Sequence, residues 1–145
     1  MRQDERVRVM ERVNARYLEP SMFDVPASFA SIDVSFISLK LILPALMRVL
    51  TPPYTIIALI KPQFEAGRER VGKKGVVRDK AVHKDVIADI LAFAKEAGLS
   101  VYGLDFSPIR GPEGNIEYLA CLKSEGEYPE PDIIRVVEEA HKSAL

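Results

Sequence analysis

The fold of this chain is decided by the stretch YTIIALI at residues 54–60, which Lys61 follows at once. Seven consecutive residues that are mostly apolar and partly β-branched are typical of a strand covered on both faces. The triplet TPP at residues 51–53 precedes them, and its two prolines predict a break in the chain there. Strands of this kind belong mainly to α/β sheets, so the rest of the chain is expected to alternate strands with helices.

That alternation is present along the sequence. Patterns of apolar and β-branched residues predict further strands at residues 6–11, 29–34, 100–106 and 116–123. Helices are predicted to begin after the capping residues Ser38, Asp79 and Asp132, the second of them ending near Gly98. Residues 62–80 are predicted to be a loop and residues 111–115 a turn. Together they indicate an open α/β sheet, mostly parallel, with a C-terminal antiparallel hairpin.

The composition is that of a soluble globular domain. The chain has 145 residues, 48% of them hydrophobic and 28% charged, with a formal net charge of −1. This balance excludes an overall basic field, so a nucleic-acid partner would have to bind a local patch. The single cysteine, Cys121, cannot form an internal disulfide, and its apolar surroundings predict an inert thiol, which fits a reducing cytoplasm. No segment has the length and apolarity of a membrane span or a signal peptide.

Three charged residues are predicted to meet at one edge of the sheet. Asp33 ends one strand, Lys61 ends the next, and Glu117 lies where an antiparallel strand starts. Ligands of open α/β sheets bind at the carboxyl ends of the strands. An amine beside two carboxylates can activate a weakly acidic hydroxyl, provided that desolvation or a second cation lets a lysine give up its proton. The alternative, equally weighted for each residue alone, is a charge that marks where a buried strand reaches water.

Four ordered motifs resemble one protein family. They are SIDVSFISL at 31–39, LIKPQFE at 59–65, GVVRD at 75–79, and SPI at 107–109 with GPEGNIEYL at 111–119. The set resembles the TlyA-type haemolysins among the FtsJ-like rRNA 2′-O-methyltransferases. The resemblance implies a Rossmann-like methyltransferase fold, S-adenosylmethionine as methyl donor and ribosomal RNA as substrate. It matches Asp33, Lys61 and Glu117 to three members of a Lys-Asp-Lys-Glu tetrad, with Lys61 activating the ribose hydroxyl.

Cofactor contacts are implied by the same resemblance. Asp33 and Asn14 would approach S-adenosylmethionine, Asn14 at its adenine; the alternative for the asparagine is a polar loop residue in an Asx turn. The family's glycine-rich loop, its first tetrad lysine and its S4-like RNA-binding domain are not found in these residues. Residues 1–145 are therefore expected to be a partial methyltransferase domain, from the third strand onward and inactive alone. Its strand at residues 6–11 is expected to pair with the strand at 29–34, to fray, or to join another chain, which would give self-association.

A basic segment follows the predicted Lys61 site. Residues 65–84 hold seven basic and three acidic side chains, a net charge of +4, together with three glycines. A mobile basic loop can bind RNA phosphates, and the candidates are Arg68, Arg70, Lys73, Lys74 and Arg78. The alternative is an ordinary solvated loop.

Other side chains offer little further chemistry. Most aromatic residues fall in apolar stretches and are predicted to be core rather than base-stacking platforms. The two histidines, His83 and His141, lie far apart in the sequence, and no ligand spacing indicates zinc. Two other functions remain open. One is a non-catalytic RNA-binding or assembly module, and the other is a haemolysin-like membrane activity, which no amphipathic helix supports.

Overall fold

A computed structural model describes residues 3–143. Four strands form one sheet in the order β1-β2-β4-β3. Their bounds are β1 Ala27–Ile32, β2 Leu50–Ile60, β3 Ser100–Phe106 and β4 Tyr118–Lys123. The helices are α1 Leu39–Val49, α2 Pro62–Glu65, α3 Lys80–Glu96 and α4 Ile133–Lys142. Strand β1 is parallel to β2, and β4 is antiparallel to both of its neighbours, so the predicted α/β sheet with a C-terminal hairpin is confirmed.

The helices lie where their capping residues predict. The Ser38 hydroxyl accepts a hydrogen bond from the Lys40 amide, and the Asp79 carboxylate does the same for Ala81. Gly98 adopts the left-handed conformation, with φ of 100°, just beyond α3. Helix α3 contacts both α1 and α4, and these helices bury one face of the sheet. That face carries the fully buried side chains of β2 and β4, namely Ile56, Ala58, Ile60, Tyr118, Ala120 and Leu122.

Two predictions about β2 are wrong. Its opposite face, which includes Ile57 and Leu59, is only half-buried, because the helices pack on one side of the sheet. The second wrong prediction is the break at the TPP triplet, because residues 51–53 lie within β2. The ladder pairs Ala27 with Leu50 and Phe29 with Thr55, so the prolines lie in an irregularity of the ladder, where they need donate no hydrogen bond.

The predicted strand at residues 6–11 is also wrong. This segment forms turns and irregular structure, followed by short 3₁₀ helices at Ala15–Tyr17 and Pro20–Met22. A segment with an alternating pattern forms a strand only when its backbone pairs with a neighbouring strand. Residues 6–11 do not pair with the outer edge of β1, and within residues 3–143 no other segment pairs with that edge. Side chains hold this region instead: Arg8 donates to Asp24 at 3.0 Å, and Arg48 donates to the carbonyls of Arg16 and Leu18, around the first 3₁₀ helix, each at 3.2 Å.

Smaller differences concern the ends of elements and the loops. Strand β1 begins and ends two residues earlier than predicted, and β4 begins two residues later. The segment predicted as a loop at 62–80 contains α2 and two short 3₁₀ turns. Burial raises the pKa of the Cys121 thiol, as its apolar strand predicts. Within the described part of the chain, none of the helices is long and apolar enough to cross a membrane.

Candidate active site

Lys61 and Asp33 meet at the carboxyl edge of the sheet. Strands β1 and β2 run in parallel, with Ile32 paired to Ala58, so both strands deliver their next residues to the same edge. The Lys61 Nζ lies 2.5 Å from the Asp33 Oδ1 and donates to the Ser35 hydroxyl at 3.3 Å. The lysine side chain is 10% exposed and the aspartate 74%. A buried ammonium therefore has one carboxylate partner, whose remaining surface faces solvent.

Glu117 lies at the same edge but in a different contact. It precedes Tyr118, which pairs with Ile60 across the β2–β4 ladder, so its backbone stands beside that of Lys61. Its side chain is buried, and its Oε2 accepts a hydrogen bond from the Gln63 amide at 2.8 Å. No ion pair joins Glu117 to Lys61 among the described residues. The structure thus brings Lys61 and Asp33 into contact and places Glu117 next to them, bound to Gln63.

Gly111 and Gln63 line the space around the Glu117 carboxylate. A Cβ atom at Gly111 would lie 2.2 Å from the Glu117 Oε2, so a larger residue at this position would displace the carboxylate from where it lies. The Gln63 Oε1 is buried and has no hydrogen-bond partner within residues 3–143. Reversing the amide would point this oxygen at the Glu117 carboxylate, which would repel it. The orphaned acceptor therefore fits a ligand that offers a hydrogen-bond donor beside Glu117.

A clamp joins the segments that follow β1 and β2. Glu65, at the end of α2, accepts hydrogen bonds from the Ser38 hydroxyl at 2.7 Å and from the Leu39 amide at 2.8 Å. Burial raises the pKa of the Glu65 carboxyl, while these two hydrogen bonds oppose the rise. The first turn of α1 is thus fixed to the turn that follows Lys61, and the clamp holds the two sides of the site together.

The prediction that most aromatic residues are core is wrong, because five are exposed and only two are buried among the described residues, and Phe36 is the most exposed of them. It is 89% exposed and adopts a left-handed φ of 62°, which is strained for a residue with a bulky side chain. Its ring lies 4.7 Å from that of Phe64, and the Lys61 Nζ lies 6.0 Å from the Phe64 ring centre. The two rings border an open hollow of about 440 Å³ that Gln63 and Arg68 also line. The sequence motif gives no sign of this exposure, because Phe36 is one of several apolar residues in the motif, with Val34 and Ile37 close by.

The predicted RNA-binding residues differ in their surroundings. Arg70 is engaged, donating to the Ala66 carbonyl at 3.0 Å and to Asp85 at 3.3 Å. Arg68, Lys73, Lys74 and Arg78 are exposed and form no ion pair with any described residue. The loop that carries the last three is not loose, since the buried Asn115 side chain holds it at Gly75 and Val77. The structure therefore leaves four of the five predicted cations available to a ligand.

Asn14 takes the role of a local cap. Its side chain accepts a hydrogen bond from the Arg16 amide at 3.0 Å and begins the first 3₁₀ helix. This is the Asx-type contact that was the alternative to adenine binding. Its exposed position does not prevent the amide nitrogen from meeting a ligand as well.

The two histidines meet although the sequence separates them widely. Their ring centres are 4.8 Å apart. The buried His83 ring bonds the Tyr118 hydroxyl at 2.7 Å and the Val77 carbonyl at 2.8 Å. A carbonyl only accepts, so the His83 Nε2 carries the proton and Nδ1 accepts from the tyrosine. No group of three metal-ligating side chains occurs in the described range, and His83 alone of the two is fully buried.

Comparison with known proteins agrees with this geometry. The FtsJ-like methyltransferase family matches residues 1–124. The chain belongs to that family. It is 56% identical to the "Putative rRNA methyltransferase YqxC" of Bacillus subtilis over 99% of its own length and 53% of that protein. It is 39% identical to the 16S/23S rRNA (cytidine-2′-O)-methyltransferase TlyA of Mycobacterium tuberculosis, over 86% of this chain and 47% of that one.

Solved structures extend the likeness to the fold. A structure titled "Putative hemolysin from Streptococcus thermophilus" is 53% identical, with a TM-score of 0.92 over 98% of this chain and 53% of that chain. One of a Lactococcus lactis protein with a similar title is 47% identical, with a TM-score of 0.92 over 97% of this chain and 69% of that one. The expected resemblance to TlyA-type, FtsJ-like proteins is confirmed. The chain spans about half the length of the curated relatives it matches.

Proposed function

We propose that these residues form part of the catalytic domain of an rRNA 2′-O-methyltransferase that uses S-adenosylmethionine. The observation that carries the proposal is the buried Lys61 amine, 2.5 Å from Asp33 at the ligand-binding edge of a methyltransferase-family sheet. The relatives named as rRNA methyltransferases support the RNA substrate and a cytoplasmic location. When bound, S-adenosylmethionine supplies a methyl group on a sulfonium centre. The exposed carboxylate of Asp33 would hold a cationic part of it, with Asn14 nearer the adenine.

Lys61 would act on the ribose hydroxyl. Its Nζ receives the proton of the 2′-OH as it passes one of its own to Asp33, so the charge on the amine does not change. Asp33 and Ser35 fix the direction of the amine. Glu117, through Gln63, would orient the sugar, since the orphaned Gln63 Oε1 can accept a hydrogen bond from a ribose hydroxyl. Positioning and proton transfer of this kind each contribute several orders of magnitude to rates.

The contact between the exposed Phe36 ring and the half-buried Phe64 ring supports an RNA substrate. Flat aromatic rings beside a reacting sugar give its base a surface on which to stack, worth about 1–3 kcal/mol per base. The cations Arg68, Lys73, Lys74 and Arg78 would bind the phosphates of the same strand, and Arg70 would join them by leaving Asp85. We further propose that residues 1–145 are a partial domain that does not transfer methyl groups alone. Self-association through the outer edge of β1 would then be a property of the isolated piece.

The test is methyl transfer by a full-length protein that carries these residues. With labelled S-adenosylmethionine and ribosomal RNA, Lys61→Ala should lower kcat at least about a thousandfold, because the proton acceptor is lost. RNA affinity should change less than threefold. Lys123→Ala is the matched control, since it removes an amine from the opposite end of the sheet and should leave turnover unchanged. Near-normal turnover in Lys61→Ala would refute the assignment, and RNA binding without any methyl transfer by the unaltered protein would favour the non-catalytic RNA-binding alternative.

A further inference from the structure

A small basic hollow lies beside the Gly111–Asn115 turn and shares no lining residue with the Lys61–Asp33 contact. It has a volume of about 190 Å³, and its walls include Arg78, Arg110, Gly114, Glu113 and His141. Arg78 comes from the loop before α3 and Arg110 from the loop between β3 and β4. Both side chains are exposed, and neither forms an ion pair with any residue between 3 and 143. Two arginines from separate loops thus face one space without a carboxylate partner.

The scaffold that sets these arginines side by side is buried and fully bonded. The Asn115 Oδ1 accepts from the Val77 amide at 3.1 Å, next to Arg78. Its Nδ2 donates to the carbonyls of Gly75 at 2.9 Å and Pro112 at 3.0 Å. One buried amide therefore locks the two loops to each other. Arg110 is itself steadied by a hydrogen bond from Nη1 to the Gly114 carbonyl at 3.0 Å, which leaves most of its guanidinium donors free.

His141 adds a second indication of a polar ligand. The His141 Nδ1 donates to the Val137 carbonyl at 2.8 Å, whereas its Nε2 is buried without a partner in the described part of the chain. Because Nδ1 carries the proton, this Nε2 is an acceptor, and a water molecule or a ribose hydroxyl would satisfy it. Arg78 also borders a second hollow of about 480 Å³, whose walls include Lys73 and Lys74 and one acidic side chain, Asp79. Two basic hollows that share one arginine fit neighbouring phosphates of a strand.

We propose that Arg78 and Arg110 form a phosphodiester-binding subsite for RNA, with His141 in its wall and the Lys73–Lys74 hollow taking the adjacent phosphate. This rests on the proposed function in taking RNA as the ligand. Guanidinium groups bind phosphate oxygens in pairs, and such contacts fix the position of a strand without reading its sequence. The subsite adjoins the turn that covers Glu117, so a strand held there would be anchored close to the Lys61 amine. Glu113 is the one acidic side chain in the wall, and it opposes anion binding.

The test measures binding of a fluorescent single-stranded ribosomal RNA oligonucleotide to the full chain at several salt concentrations. Arg78→Ala and Arg110→Ala should each weaken binding about tenfold and lower the slope of log affinity against log salt by about 0.7. Arg110→Lys, which keeps the charge but loses the paired donors, should fall between. Glu113→Gln should tighten binding about twofold. Lys123→Ala, the same loss of charge at the far end of the sheet, should change binding less than twofold.

Several results would overturn the subsite. One is that Arg78→Ala and Arg110→Ala bind RNA as tightly as Lys123→Ala does. Another is that Glu113→Gln weakens RNA binding instead of tightening it. The third is that the wild-type chain does not bind RNA at low salt. Inorganic phosphate is titrated separately, and saturation by it with RNA affinity unchanged would mean a site for free phosphate instead. The failure is distinct from failure of the methyltransferase proposal, which is read from the turnover of Lys61→Ala. Circular dichroism of each variant excludes unfolding as the cause.

Discussion

Tyr118→Phe tests the buried contact between β4 and α3. The Tyr118 hydroxyl donates to the His83 Nδ1 at 2.7 Å, and both side chains are almost completely inaccessible to solvent. Removing the hydroxyl leaves the His83 nitrogen buried without a donor, which costs about 1–3 kcal/mol. In a domain of this size that loss lowers the melting temperature by about 3–10 °C. The loss should be measured by urea unfolding and by calorimetry at pH 7.5.

The matched control is Tyr102→Phe. Tyr102 is 56% exposed, so loss of its hydroxyl should change the free energy of unfolding by less than about 0.5 kcal/mol. In a His83→Leu background, Tyr118→Phe should cost less than it does in the wild type, because the orphaned nitrogen is gone. Equal effects of Tyr118→Phe and Tyr102→Phe would refute the reasoning, and so would an unchanged cost of Tyr118→Phe in the His83→Leu background.

Three further predictions follow from other parts of the structure. Burial lowers the pKa of His83, so its unfolded form binds a proton more readily. The free energy of unfolding should therefore be at its full value above about pH 6.5. As the pH is lowered below this value, the free energy of unfolding should decrease by up to about 1.4 kcal/mol per pH unit, and urea titrations should show a smaller decrease in His83→Gln. Ser38→Ala removes both the cap of α1 and the donor to Glu65, and should cost about 1–2 kcal/mol in thermal unfolding, whereas Ser38→Thr should cost much less. Phe36→Gly relieves a left-handed φ, so stability should hold or rise by about 1 kcal/mol while RNA binding weakens; a clear loss of stability would show that the ring supports the fold.

The local sequence pattern was sufficient to predict the four strands of the sheet and the three longer helices. Ser38, Asp79 and Asp132 cap the helices that they predict, because capping depends on residues adjacent in sequence. The strand at residues 100–106 has the bounds that its pattern predicts. Residues 6–11 show the limit of this approach. Their alternation is as regular as that of a true strand, but a strand also needs a paired neighbour, which the pattern cannot supply.

The site was predictable at the level of the sheet edge and not at the level of contacts. The order of the strands placed Asp33, Lys61 and Glu117 at one edge, yet which carboxylate meets the amine depends on register and side-chain direction. Glu117 contacts Gln63, whereas Asp33 contacts Lys61. The approach of His83 to His141 and the exposure of Phe36 depend on helix packing and on one backbone angle. Neither has a signature in sequence spacing.

Asn115 makes the loop before α3 and the turn after β3 mechanically one piece. A single amide is hydrogen-bonded to Gly75, Val77 and Pro112. A displacement of the loop before α3 would therefore also displace the turn that contacts Glu117. Aspartate there would set an oxygen against two carbonyls, and glutamine would be too long for the gap. Position 115 should therefore tolerate no side chain other than asparagine. A ligand that binds the loop before α3 would also shift the Glu117 carboxylate.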